Sequence, residues 1–186
     1  MRLSLKHFRQ RERHTCGWCA CRVVYHHYGI PATHVRTGLG VDERAIPFRS
    51  RSQGVLPPAL LRQLRSDGFL VDVLPVTRRS LDVICRRLDH GYPVIGLQGD
   101  YVEALHWVVI GGYSEEYLHI MDSDSHTPSG WRKAMKKDAM KEFISFFSIA
   151  GNDGESRETS PLEMLKSFPE LRHVTKIIRN EVREWL

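Results

Sequence analysis

The alternation of apolar and polar positions predicts helices in the first part of the chain and a series of strands after them. After Cys16, apolar and aromatic residues recur at the spacing of one helix face, and later short apolar runs are typical of buried strands. One predicted helix begins at Cys16, a short one lies near Thr33–Leu39, and two more cover Pro57–Asp67 and Arg79–Asp89. The predicted strands cover Phe69–Val76, Pro93–Leu97, Leu105–Ile110 and Tyr117–Asp122. Because helices come first and strands later, the chain is predicted to have an α+β fold.

The helix that follows Cys16 has recognisable ends. Thr15 is a suitable N-cap residue, and Gly29 and Pro31 are residues that stop a helix. These limits put Cys16 in the first turn of the helix, and they direct the apolar face of that helix into a core.

The last part of the chain differs in composition from the rest. Residues 151–160 are polar and are predicted to form a linker, which leaves residues 1–150 as one domain and residues 161–186 as a helical extension. One face of the extension is apolar and consists of Leu171, Val174, Ile178 and Val182. That face must be buried, and we expect it to pack on the domain itself or on a partner chain.

The amino-acid composition is that of a soluble globular protein, and it limits the classes of function that the chain can have. Of the 186 residues, 41% are hydrophobic and 26% are charged, and no apolar run approaches the length of a membrane span, about 18 residues. The net charge of +5 comes from scattered arginines without a recognisable nucleic-acid module, so we expect a solvated basic surface and no nucleic-acid partner. The basic N-terminus lacks the apolar core of a secretory signal, so a cytoplasmic location is expected.

Cys16 is the first candidate for chemistry. The N-terminus of a helix carries partial positive charge and unpaired N–H groups, which favour a thiolate, the nucleophilic form of cysteine. The simpler interpretation is a buried structural cysteine, because free cysteine is among the most buried residue types. Cys19 and Cys21 are expected to pack near the site, and Cys85 is expected in the core.

His106 and Asp122 lie on the two strands of a predicted hairpin centred near Ser114. Each is eight positions from that centre, so the two would face each other across an antiparallel pair, with Cβ atoms about 4.5–5.5 Å apart. A carboxylate at that distance can accept the imidazole N–H and fix its tautomer, as the acid of a catalytic triad does. The alternatives are a core histidine, a turn aspartate, a slip of one residue that separates the faces, and Asp124 in place of Asp122.

The segment QRERHTCGWCACRVVYHHYG, residues 10–29, resembles the N-terminal motif of the bacteriocin-processing C39 peptidases and their C39-like relatives. In that motif a glutamine precedes a Cys-Gly pair by five intervening residues, and a helix follows that ends at an aromatic residue and a glycine. His106–Tyr113 and Ile120-Met121-Asp122 are similar to the histidine strand and the aspartate strand of the family. The family usually has aspartate before the nucleophile, where this chain has Thr15.

The resemblance implies a papain-like fold and a cysteine peptidase that works by acyl transfer. The N-terminal helical part with Cys16 would pack on an antiparallel sheet that carries His106 and Asp122. The resemblance also implies that the Gln10 side chain and the Cys16 backbone N–H donate to the oxyanion of the tetrahedral intermediate. It implies no metal or cofactor, and the expected partner is a peptide or protein substrate. Processing of a leader peptide after a double glycine is common in the family and is one candidate role.

Other interpretations remain open. Cys16-Gly-Trp-Cys19 is a CxxC that zinc or redox chemistry could use, although no second ligand pair is obvious and no βαβ strand precedes it; the nearby ligand types are Cys21, His14, His26 and His27. A deamidase, a transglutaminase-like enzyme or a toxin-type hydrolase can use the same Cys-His-Asp order. Outside the enzymes, the alternative is a catalytically idle peptide-binding domain of the same fold.

Overall fold

The computed structural model describes residues 1–11, 15–30, 57–99, 105–124 and 126–151. In these residues the helices are α1 (Cys16–His27), α2 (Pro57–Ser66), α3 (Arg78–Asp89) and α4 (Lys136–Glu142), and the strands are β1 (Leu70–Leu74), β2 (Val94–Gln98), β3 (His106–Tyr113), β4 (Tyr117–Met121), β5 (Trp131–Met135) and β6 (Phe143–Ala150). The chain divides into two units, Met1–Ser156 and Arg157–Leu186, and every described residue belongs to the first. The predicted helix near Thr33–Leu39 and the predicted extension lie outside the described residues. No helix in the described ranges has the length and apolarity needed to cross a membrane.

The strands form one six-stranded sheet in the order β1-β6-β2-β3-β4-β5. Every neighbouring pair in it is antiparallel. The prediction of an α+β fold with an antiparallel sheet is therefore confirmed. No element was predicted from the sequence where β5, α4 and β6 lie, and β6 is inside the sheet between β1 and β2.

Helix α1 begins and ends at the predicted places. Thr15 occupies the predicted N-cap position, and its side chain makes no capping hydrogen bond. The C-terminus of α1 is closed by two backbone bonds, from Gly29 N–H to His26 C=O at 3.1 Å and from Ile30 N–H to Tyr25 C=O at 2.8 Å. Gly29 has φ of +67°, which is the left-handed conformation that this closure requires.

The pairing of β3 with β4 differs from the predicted hairpin. Ile110 is paired with Ile120, so the two strands are centred on Glu115 instead of Ser114. Strand β3 also continues to Tyr113, beyond the end predicted from the apolar run at Ile110. The predicted register is thus wrong by two residues along the chain.

This register error does not separate the two candidate catalytic residues. His106 and Asp122 are not directly opposite each other, which corrects the prediction. Because side chains alternate between faces with a period of two, a shift of two leaves both on the same face as diagonal neighbours. Diagonal neighbours are about 7–8 Å apart at the backbone, within reach of an imidazole and a carboxylate.

Apolar side chains from α3, α4 and five strands form one buried cluster. It consists of Ile84, Leu88, Val94, Val108, Ile110, Leu118, Ile120, Ala134, Ala139, Phe143 and Phe146. Helix α1 packs against β3 and buries most of its own length. Cys85 is only half-buried on α3, so its predicted place in the core is wrong.

The first eleven residues form an extended N-terminal segment (Met1–Arg11) that runs along the sheet. The N–H of Leu3 donates to the carbonyl of Gly111 at 2.7 Å, and Arg2 forms an isolated bridge with Gly112. The pairing of β3 with β4 shifts by one residue between Ile110 and Gly112, which is a β-bulge. A Cβ at Gly112 would lie 2.6 Å from the carbonyl oxygen of Met1, so a glycine is needed for the segment to approach β3.

Candidate active site

Cys16 is the first residue of α1 and is 1% exposed. The first-turn N–H groups of a helix have no partners within the helix, and the helix dipole places partial positive charge there. The predicted position of Cys16 in the first turn is therefore confirmed. Cys19 and Cys21, also on α1, are buried and form no disulfide.

His106 and Asp122 are in direct contact at the ends of their strands. His106 is the first residue of β3 and Asp122 follows the last residue of β4. His106 Nε2 donates to Asp122 Oδ1 at 2.7 Å, and the two side chains are 25% and 9% exposed. Asp124, the alternative acid, is exposed; its backbone N–H donates to Asp122 Oδ1 at 2.9 Å. The geometry therefore favours Asp122 as the partner of the imidazole.

The imidazole of His106 also contacts the thiol of Cys16. Burial alone would lower the pKa of His106, but hydrogen bonds to Asp122 and Cys16, and the charges of the same two groups, raise it to about 9. Because Nε2 is bound to Asp122, Nδ1 is the nitrogen left for the thiol. The structure thus places the His106 imidazole between the Asp122 carboxylate, to which it is hydrogen-bonded, and the Cys16 thiol, which lies near enough to raise its pKa.

Asp122 is held as a carboxylate. Its burial would raise its pKa, but its bonds with His106 and Arg132 and the backbone N–H of Asp124 hold that pKa well below its usual range. The Asp122 backbone carbonyl also accepts from His7 Nε2 at 3.1 Å. The carboxylate is therefore fixed at both of its oxygens and at its main chain.

Gln10 is positioned by Ser123, the residue after Asp122. The Gln10 N–H donates to the Ser123 carbonyl at 3.0 Å, and Ser123 Oγ donates to Gln10 Oε1 at 2.8 Å. The second bond fixes the oxygen end of the Gln10 side chain, so its NH₂ end is turned away from Ser123. Ser123 was missed in the sequence, where the only signal was a hydroxyl directly after the candidate acid.

Four polar side chains at one end of the sheet form what we call the polar row: Gln98, His106, Asp122 and Arg132. Gln98 is paired with His106, and Arg132 is paired with Ile120, two residues before Asp122. By the period of two, the row continues the face that carries Val108 and Ile110 of the buried cluster. Arg132 and Gln98 were missed because β5 and its register were not predicted.

The CxxC interpretation has no assembled ligand set in the described part of the chain. Across residues 1–11, 15–30, 57–99, 105–124 and 126–151, no three His, Cys, Asp or Glu side chains are grouped as metal ligands. His26 and His27 instead contact aromatic rings, Phe8 and Tyr28 respectively. His14 lies outside the described residues.

The model of the Peptidase_C39 like family matches residues 2–154. No curated protein matches the chain. Among solved structures, the peptidase domain of Streptococcus ComA, a bifunctional ABC transporter involved in quorum sensing, is similar with a TM-score of 0.59 at 20% identity, covering 78% of this chain and 98% of that one. A double glycine motif protease from an AMS/PCAT transporter, in complex with its leader peptide, is similar with a TM-score of 0.57 at 17% identity, covering 80% of this chain and 94% of that one.

Similarity to solved structures at such low sequence identity shows the fold alone, whereas the match to the family model shows which family the chain belongs to. The two solved structures are C39 peptidase domains, and the fold of such domains is papain-like, which confirms the predicted fold. The family model covers most of the chain and includes the whole candidate site. The chain therefore belongs to the Peptidase_C39 like family, which relates it to cysteine peptidases and confirms the resemblance of its Gln10–Gly29 segment to them.

Proposed function

We propose that the protein is a cysteine peptidase that cleaves a peptide bond by acyl transfer, with Cys16 as nucleophile, His106 as base and Asp122 as the group that orients His106. The observation that carries this proposal is the double contact of His106, with the thiol of Cys16 on one side and the carboxylate of Asp122 on the other. A histidine that was only structural would not need both a buried carboxylate and a thiol at a helix N-terminus as its partners.

In the proposed mechanism, His106 Nδ1 takes the proton of the Cys16 thiol, and the thiolate attacks the carbonyl carbon of the scissile bond. Asp122 holds the imidazole in one tautomer and stabilises the imidazolium. The imidazolium then gives its proton to the leaving amine, and a thioester with Cys16 remains. A water molecule, deprotonated by His106, hydrolyses that thioester and restores the free thiol.

The oxyanion of each tetrahedral intermediate would be bound by the Cys16 backbone N–H and by the side-chain NH₂ of Gln10. Gln10 suits this role because Ser123 already binds its oxygen end, and so the amide is preorganised. Removal of one such donor typically costs about 3–4 kcal/mol of transition-state stabilisation. We therefore expect Gln10→Ala to lower kcat strongly and to leave the fold unchanged.

The proposed substrate is a peptide, and a leader peptide with a double glycine before the cleavage site is the first candidate. The support is the fold shared with a double glycine motif protease that was solved with its leader peptide. An alternative reaction of the same triad is deamidation of a side chain. That reaction would release ammonia without cleaving the chain.

The test is cleavage of a set of peptides that carry a double glycine, compared with the same peptides in which both glycines are replaced. Mass spectrometry would locate the cut. We expect cleavage by the wild type and none by Cys16→Ala or His106→Ala, with a smaller loss for Asp122→Asn. Cys85→Ala is the matched control, because it removes a half-buried thiol on α3 and should leave the rate unchanged. Cleavage that persists in Cys16→Ala would overturn the assignment of the nucleophile.

A second measurement distinguishes two reasons for an absence of cleavage: a peptide that is not a substrate, and a domain without catalytic activity. Cys16 should react with iodoacetamide at neutral pH faster than Cys85, because His106 can accept the thiol proton and because burial raises the pKa of Cys85. Equal labelling of the two cysteines, together with no cleavage, would favour a peptide-binding domain without activity.

A further inference from the structure

Asp122 has a second partner besides His106. Arg132 on β5 donates from Nε to Asp122 Oδ2 at 2.5 Å, while His106 is bound to Oδ1. The two side chains of this ion pair are 32% and 9% exposed, so the carboxylate is largely shielded from water. A shielded pair with an arginine interacts more strongly than an exposed surface pair, for which the contribution is small.

The guanidinium of Arg132 is itself held in place. Its Nη2 donates to Gln98 Oε1, and Gln98 Nε2 donates to Glu142 Oε2 at 3.2 Å. Gln98 is 8% exposed and belongs to β2, the strand beside β3. The two donors of Arg132 therefore connect the carboxylate of Asp122 on one side with the interior of the sheet on the other, and the planar fork of the guanidinium suits this geometry.

We propose that Arg132 is a positioning residue for the His106–Asp122 pair, which keeps the Asp122 carboxylate in the plane that His106 requires and offsets part of its negative charge. The effect of Arg132 on catalysis rests on the proposed function. The geometry does not depend on that function, because Arg132 is bonded to Asp122 and Gln98 whatever reaction the site performs.

The charge effect has a definite sign. Among the described residues, the charged or titratable groups that face His106 are Asp122 and Cys16, with Arg132 behind Asp122. Farther out, Glu142 lies behind Gln98 on α4, and His7 of the N-terminal segment contacts the Asp122 carbonyl. A positive charge behind Asp122 disfavours the imidazolium. Without Arg132 the imidazolium would be too stable, and it would give its proton to the leaving amine more slowly.

The first experiment measures the titration of His106 in full-length protein and needs no substrate. In a Cys16→Ala background the imidazole titrates without a thiol partner, and its NMR signal can be assigned by its loss in His106→Gln. We expect Arg132→Gln to raise the pKa of His106 by on the order of one unit. The matched control is Lys133→Gln, which removes the same charge from the next residue of β5, where the side chain contacts Tyr117 on the other face. An unchanged or lowered pKa in Arg132→Gln, or an equal rise in Lys133→Gln, would overturn the charge effect.

The second experiment tests orientation and uses the active thiol. Arg132→Lys keeps the positive charge but loses the fork, so the pKa of His106 should stay near the wild-type value while kcat falls about tenfold with little change in KM. If Arg132→Gln does not fold, Arg132→Lys still tests the positioning role. Wild-type kcat in Arg132→Lys would refute the positioning role. If wild-type protein cuts no peptide and Cys16 is labelled no faster than Cys85, the proposed function fails, whereas the titration of His106 still decides the charge effect of Arg132.

Discussion

His106 is bound on two sides, and this arrangement determines how the protein should respond to pH. Hydrogen bonds and charges from Asp122 and Cys16 outweigh the effect of burial and raise the pKa of His106 to about 9 from an ordinary value of 6.5. A group with a raised pKa in the folded state stabilises the fold fully below its ordinary value, and this contribution is lost as the pH rises through the raised value.

We therefore expect the wild type to lose unfolding free energy relative to His106→Gln as the pH rises from below 6.5 through about 9. Denaturant unfolding of both proteins across this range would measure the difference. Proteolytic activity should fall over the upper part of the same range, because the imidazolium that protonates the leaving amine is lost. A stability difference that stays constant with pH would contradict the bound imidazolium.

At the scale of secondary-structure elements, the N-terminal segment is important because it places Gln10 at the candidate active site. Leu3 is bonded to β3, His7 contacts the carbonyl of Asp122, and Gln10 is bonded to Ser123. Between these contacts the segment passes over Gly130, where a Cβ would overlap the His7 ring. The placement of the proposed oxyanion donor thus depends on a glycine more than a hundred residues later in the chain.

Gly130→Ala should disturb this segment, and Gly91→Ala provides a matched control. Both glycines have positive φ, +69° and +82°, so both substitutions cost about 1 kcal/mol of backbone strain. Only at Gly130 would the new methyl group meet another residue, since nothing lies within 4 Å at Gly91. We expect Gly130→Ala to lose more unfolding free energy and to lower kcat, while Gly91→Ala keeps wild-type kcat. Equal effects in the two variants would mean that the segment does not depend on contact with Gly130.

The sequence predicted most elements up to residue 122 because their hydrophobic periods were clear. His106 and Asp122 were found despite a wrong register, since an even shift preserves the face of a strand. Arg132 could not be found in the same way. Its contact with Asp122 depends on the pairing of β5, and an arginine in a basic stretch is most simply interpreted as solvated. Ser123 was hidden for a similar reason, because its partner Gln10 lies 113 positions away.

At the scale of the whole molecule, the six described strands and the candidate site residues lie within the first unit of the chain. The last described strand, β6, ends at Ala150, and the family model ends at residue 154. The predicted linker over residues 151–160 and the predicted extension over residues 161–186 follow it. Their roles stay predictions from sequence.

We expect removal of residues 151–186 to leave the candidate site formed but to lower stability. The apolar face predicted in the extension should pack on the domain, so its loss would expose apolar surface of the domain. Iodoacetamide labelling of Cys16 would report the site, and denaturant unfolding would report stability. If the shortened chain is a soluble monomer of unchanged stability, the extension serves a partner chain instead.

The position of β6 has a consequence for how the protein is made. Cys16 is synthesised before the described strands, and β6, the last of these strands in sequence, lies between β1 and β2, so the described sheet cannot be completed before Ala150 is available. At about 5–20 residues per second, the interval between the synthesis of Cys16 and the synthesis of β6 is on the order of ten seconds. Contacts so distant in sequence also form slowly after synthesis. The proposed nucleophile is therefore present on the ribosome-bound chain before the sheet that holds its proposed partners is complete.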